Sequence, residues 1–140
     1  MGRLARLMPR RRPVRDSGAV AVEFALILPI FLLLVFAVID FGRMLNAQIT
    51  LTEAAREGAR TAAVTRSKDD AETRAEQIAA QSLGAVGIEA NARACPVRYN
   101  EDAVAETVVT YNFAYITPLG ILIGSDGTTL TGEAVMPCLH

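Results

Sequence analysis

A glycine and a glutamate five residues apart, Gly18 and Glu23, stand at the entry to an apolar run that carries no other charge before Asp40. Glycine lets another molecule approach the backbone closely, and a cut after Gly18 would give Ala19 a free amine. Glu23 lies four residues beyond Ala19, about one helical turn. Its carboxylate could then pair with that amine, or with the amine of a neighbouring chain displaced along the helix axis. Burial strengthens such a pair and makes the unpaired charge costly. The competing reading is that Glu23 snorkels to the interface of an uncut anchor, and spacing alone does not separate the two.

Other chemistry is sparse. The chain has no G-x-S-x-G, Walker A, H-E-x-x-H or C-x-x-C pattern, and its single histidine, His140, cannot serve a triad. Cys95 and Cys138 have no histidine at zinc-site spacing, so neither a metal nor a cofactor is expected. Glu101, Asp102 and Glu106 read as a solvated turn and strand start, and Asp69 and Asp70 as a helix start, where negative charge is favourable. No catalytic residue is assigned. The chain is expected not to be an enzyme and to have no small-molecule substrate.

The elements that position Gly18 and Glu23 follow from patterning. Phe24 to Ile39 is 16 uncharged residues, and Ala19 to Val22 extends it to a 21-residue stretch interrupted only by Glu23. As helix this is about 30 Å, enough to span a bilayer. Pro29 is tolerated in such a span, with a kink expected. An ordinary signal peptide would be shorter and end in an A-x-A-like site; the nearest candidate, Leu45 to Ala47, lies beyond Asp40 and Arg43. Residues 1–18 hold six arginines (Arg3, Arg6, Arg10, Arg11, Arg12, Arg15) against Asp16, leaving a net charge of -6 in 19–140. A basic cluster directly before an apolar segment reads as a topology signal rather than a nucleic-acid patch, so the arginines are expected in the cytoplasm and the rest of the chain exported.

The helix has no reason to stop at the membrane surface. Asp40 to Ser67 lacks proline and is rich in Ala, Leu, Glu and Arg. Within it Ala54, Gly58 and Ala62 form one stripe and Ala55, Ala59 and Ala63 the adjacent one. These small residues serve either helix propensity alone or close packing, against another helix or against the domain that follows. Glu53 can reach Arg56, and Glu57 can reach Arg60. A shorter helix is expected after Ser67 or Asp69, ending at Gly84 or Gly87. In "TVVTYNFAYI" the residues Val109, Tyr111, Phe113 and Tyr115 alternate with polar or small ones, the clearest strand signal; "IEANARACPV" and "TTLTGEAVM" are weaker candidates. "PLGILIG", Pro118 to Gly124, is expected as a loop packed on the core, or else as an exposed contact surface. The 74 residues from Ser67 to His140 are near the size at which a core alone supplies only about 3–5 kcal/mol and staples help. Export would put Cys95 and Cys138 together in an oxidising compartment, so a disulfide is expected. Strand alternation opposes it by placing the two on different faces, but Pro96 and Pro137 interrupt that regularity.

"GAVAVEF", the "LP" within the apolar run, and "AAREGAR" resemble the TadE-like proteins, minor pilins or pseudopilins of the tight adherence (Tad, Flp-type) pilus systems of bacteria. The resemblance spans Gly18 to about Ala63. It implies that a prepilin peptidase cuts after Gly18, between Gly18 and Ala19, and needs Glu23; Phe24 keeps the aromatic ring of a position often tyrosine in Tad substrates.

The expected architecture is α+β. It comprises a basic leader (1–18), a transmembrane and extended exported helix (19–66), and a small periplasmic domain (67–140) with one helix and a three- to four-stranded antiparallel sheet. The expected function is structural or assembly work in a Tad-type pilus, for adhesion and surface attachment. The protein would sit in the inner membrane as a single pass, amino terminus cytoplasmic and carboxyl terminus periplasmic, and could reach the pilus or cell surface after assembly. Expected partners are the membrane, the prepilin peptidase, other Tad pilins and inner-membrane assembly proteins, with no nucleic acid. The rival is an uncleaved, signal-anchored periplasmic binding module.

Overall fold

The computed structural model describes residues 17–84, 87–96, 98 and 103–138. The arginine cluster, Glu101, Asp102 and His140 lie outside the described residues. The elements run α1 (Ser17–Thr65), α2 (Lys68–Leu83), β1 (Ile88–Arg93), β2 (Val104–Ala114), α3 (Leu119–Ile123) and β3 (Gly127–Pro137). The strands form one antiparallel sheet in the order β1-β2-β3, giving an α+β fold. The chain divides into two compact units at Leu34/Val35.

In the first unit α1 runs through Pro29 as helix, and its large apolar side chains from Val20 to Leu34 are exposed except Leu28, which is half-buried. An element so apolar all round suits hydrocarbon rather than water. It is long and apolar enough to cross a membrane.

In the second unit the remainder of α1 supplies one wall of the core. Ala47, Leu51, Ala54, Ala55, Ala59 and Ala62 are buried on one face, a spacing of three and four residues that keeps them in line. Opposite them the inward face of the sheet is also built from small residues where α1 passes closest. Ala90, Val109 and Gly132 are paired across the three strands, as are Ala92, Thr107 and Ala134. A Cβ built on Gly132 would collide with the Leu51 backbone, so this crossing requires glycine. Larger side chains, Phe113 and Leu130, fill the core toward the Arg43 end.

Helix α2 is held at both ends as its sequence suggests. The Ser67 hydroxyl accepts from the Asp70 amide at 3.2 Å, and Gly84 closes the helix in the left-handed region, φ 59°. Ala71, Ala75 and Ala79 face inward. Its carboxylates also finish the sheet: Glu72 accepts from the Ala92 amide at 3.0 Å and Glu76 from the Ala90 amide at 3.2 Å. These are edge amides of β1 that would otherwise invite another strand.

Two expectations about local structure are resolved. Pro118 to Gly124 is not a loop packed on the core: it contains the one-turn helix α3, with Ile121, Leu122 and Ile123 largely exposed. The cause is backbone closure. Gly124 adopts φ 70°, and the Ser125 amide donates to the Gly120 carbonyl at 3.0 Å, so the segment folds on itself and turns its apolar side chains outward. Cys95 and Cys138 form a disulfide with Cα atoms 5.8 Å apart. The alternation objection does not apply because both cysteines lie just beyond strand ends, at Arg93 and Pro137.

The bridge joins Ala62, Ala71, Ala92 and Ala105 in a core cluster of almost no bulk, so the covalent constraint matters there. With a sequence separation of 43, loop closure contributes about 4 kcal/mol on the chain-entropy account. Replacing both cysteines by serine is expected to lower the unfolding free energy by about that amount, measured by denaturant titration of the detergent-solubilised protein. An unchanged midpoint and slope would contradict it.

Candidate processing site and its anchoring frame

Gly18, Ala19, Glu23 and Phe24 all lie on the first two turns of α1, and all are exposed. Among the described residues, a Cβ on Gly18 would meet nothing within 4 Å. Side chains on a helix tilt toward its amino terminus, which carries Glu23 back over the turn containing Ala19. Were the chain cut after Gly18, the helix would begin at Ala19, and its first N–H groups, left without intrahelical acceptors, would constitute the positive end of the helix dipole. A carboxylate one turn in, leaning toward that end, is suited to hold a positive charge there. The geometry brings these four residues together on one accessible segment.

The small-residue stripe lies elsewhere. Ala54, Ala55, Ala59 and Ala62 are fully buried within the chain and Ala63 is half-buried. A Cβ on Gly58 would sit 2.7 Å from Thr107 Cγ2 and 3.0 Å from the Ala75 Cβ. Of the alternatives left open by the sequence, this is close approach to the domain that follows. Its buried residues are not available to another subunit.

The feature that sequence reasoning missed is Asp40. It ends the apolar run, yet its side chain is only 1% exposed. The Thr117 hydroxyl donates to Oδ2 at 2.5 Å, the Ile116 amide donates to Oδ1 at 3.3 Å, and Arg43 lies 3.5 Å from Oδ1. Arg43 in turn donates to the Ala114 carbonyl at 3.4 Å and stacks over the Phe113 ring, 5.0 Å from its centroid. Asp40 thus pins the segment leaving β2 to the helix at the residue where hydrocarbon character stops. The Thr117 hydrogen bond first, then the Ile116 and Thr117 amides and the Arg43 charge, hold the carboxyl below the usual carboxylate range against the opposing effect of desolvation.

A lowered folded-state pKa stabilises the fold above the ordinary value of about 4 and loses that contribution as pH falls through it. Asp40→Asn is therefore expected to lower Tm most near neutral pH, with the gap from the parent closing below about pH 4. A gap independent of pH would contradict this role. The only hint in the sequence was an acidic residue directly after 16 uncharged ones.

Residues 18–60 match the family model described as TadE-like protein. Over that segment the chain is similar to TadE-like proteins. The matched segment contains the candidate cleavage site, the apolar run, Asp40 and the small stripe to Arg60; α2 and the sheet lie outside the match. No curated protein and no solved structure matches the chain.

Proposed function

We propose that this protein is a minor pilin or pseudopilin of a Tad-type pilus. It would be inserted with its arginines in the cytoplasm, cut by a prepilin peptidase after Gly18, and taken into or used to prime a filament that serves surface attachment. The observation that carries this reading is the pairing of an unencumbered Gly18–Glu23 segment at the start of a membrane-spanning helix with a disulfide-bonded domain built onto the same helix. A disulfide belongs in an oxidising compartment, which agrees with export of the carboxyl-terminal part and a positive-inside orientation.

An exposed apolar stripe on α1 supports packing against neighbouring pilins. Val38, Phe41, Leu45 and Ile49 are exposed and spaced by three and four residues, opposite the buried face. This apolar stripe continues the character of the span for about two and a half turns past Asp40. Contact with other pilin helices would cover it, while Glu23 neutralises an Ala19 amine, its own or a neighbour's.

Glu23→Ala is expected to insert at least as well as the parent, because it removes a charge that costs about 2.5–3.5 kcal/mol at the centre of a span on insertion scales and less near its end. It is also expected to lose co-purification with other pilins. The two effects have opposite signs and are read by carbonate-resistant membrane fractionation and by pull-down. Unchanged co-purification would reject the charge pairing and leave Glu23 as a snorkelling residue of an anchor.

A further inference from the structure

Strand β2 runs antiparallel to the core-forming part of α1. Thr107 lies at Gly58, Ala114 at Arg43, and the Ile116 amide at Asp40. The sheet ends where Ala114 pairs with Gly127, so the connection 115–126 leaves the sheet at the level where the apolar span finishes. Its sequence, "YITPLGILIGSD", has one charged residue, Asp126, in an otherwise uncharged stretch. Ile116, Ile121, Leu122 and Ile123 are 65%, 83%, 66% and 55% exposed. An unstructured loop could fold such side chains away, but this one is fastened. The Tyr115 amide donates to the Asp126 carbonyl at 3.2 Å, the Ser125 hydroxyl donates to the Gly127 carbonyl at 2.7 Å, and Thr117 is held by Asp40. A Cβ on Gly120 would stand 2.8 Å from the Ser125 carbonyl oxygen, so the tight turn depends on that glycine.

We propose that the connection 115–126 is a second membrane contact, in which Ile116, Ile121, Leu122 and Ile123 enter the lipid headgroup and upper acyl region beside the end of the span. The inference rests on the reading of α1 as a membrane anchor. The occupant is a lipid surface because the apolar patch continues from the end of the span, at Asp40, and its four large side chains carry no ionisable group. Apolar side chains at an interface typically reach about 5–10 Å into the headgroup and acyl boundary. Docking there would fix the domain about the helix axis and so select which face of α1 meets a neighbour.

The chain contains no tryptophan, so single substitutions report depth without background. Full-length protein is reconstituted in phospholipid vesicles as Leu122→Trp, with Phe31→Trp in the span and Val64→Trp at the far end of α1 as references. Emission is compared with bromine placed near the headgroup or near the chain ends. Leu122→Trp is expected to lose most of its emission to shallow bromines and little to deep ones, with a blue-shifted maximum. Phe31→Trp is expected to be quenched by deep bromines, and Val64→Trp by neither. If Phe31→Trp is quenched and Leu122→Trp is not, the second contact is refuted and the anchor stands; blue-shifted but unquenched emission from Leu122→Trp would assign the patch to protein. If Phe31→Trp is also unquenched, both readings fall.

Discussion

Gly58→Leu, alone or with Ala62→Leu, is expected to unfold the domain rather than to weaken assembly of a folded one. The Cβ alone would stand 2.7 Å from Thr107 Cγ2 and 3.0 Å from the Ala75 Cβ, and leucine adds three further carbons with no space to receive them. The neighbours cannot retreat easily. Thr107 is on the central strand, paired on both sides, and Ala75 is on α2, whose carboxylates hold the β1 edge. Thr107 Oγ1 is itself buried without a hydrogen-bond partner, so any shift that leaves it enclosed recovers nothing. Overpacking costs about 1–3 kcal/mol in cores that can adjust; here the expectation is the upper end or beyond, against a total stability of about 5–15 kcal/mol for a domain. Leucine favours helix over glycine, so helical signal will not report the damage. Limited proteolysis and the cooperativity of unfolding will. A protease-resistant Gly58→Leu protein with normal unfolding would show that the stripe is not the packing surface described. Phe41→Ala, on the exposed face, should keep the fold.

Gly18→Leu is expected to abolish maturation while leaving the fold unaltered, an all-or-none effect on the opposite end of the same helix. Among the described residues nothing lies within 4 Å of a Cβ at Gly18, so a larger side chain strains none of the contacts they make. Any effect must arise in the peptidase, which has to bring its catalytic groups against the backbone at the scissile bond, where a branched side chain would obstruct them. The uncut protein should accumulate at full length in the membrane, with its disulfide formed and its domain resistant to protease. Normal processing of Gly18→Leu in the native host would remove the cleavage assignment.

Much of this architecture was legible in the residues. The apolar run, the Ala-rich continuation, the cap at Ser67 and the alternation from Val109 to Phe113 each carry their signal locally, and the disulfide followed from the compartment and from there being two cysteines. The rest was not local. Whether the small stripe faced another subunit or its own domain depended on Gly132 and Thr107, far along the chain, and no periodicity within α1 distinguishes those partners. Asp40 reads as the polar end of a span until Ile116 and Thr117 are brought to it. Gly120 and Gly124 in "PLGILIG" resemble loop punctuation, yet they close the turn that sends three apolar side chains outward. The carboxylates of Glu72 and Glu76 looked like ordinary solvent-facing helix charges and instead complete the β1 edge.

The most direct test of the pilin reading is the intact mass, with amino-terminal sequencing, of the protein extracted from the membranes of its native host. Processing after Gly18 predicts a single mature species whose first residue is Ala19 and whose Cys95 and Cys138 are joined. A species retaining residues 1–18, in cells whose prepilin peptidase is active on other substrates, would contradict it and leave an uncleaved, signal-anchored module.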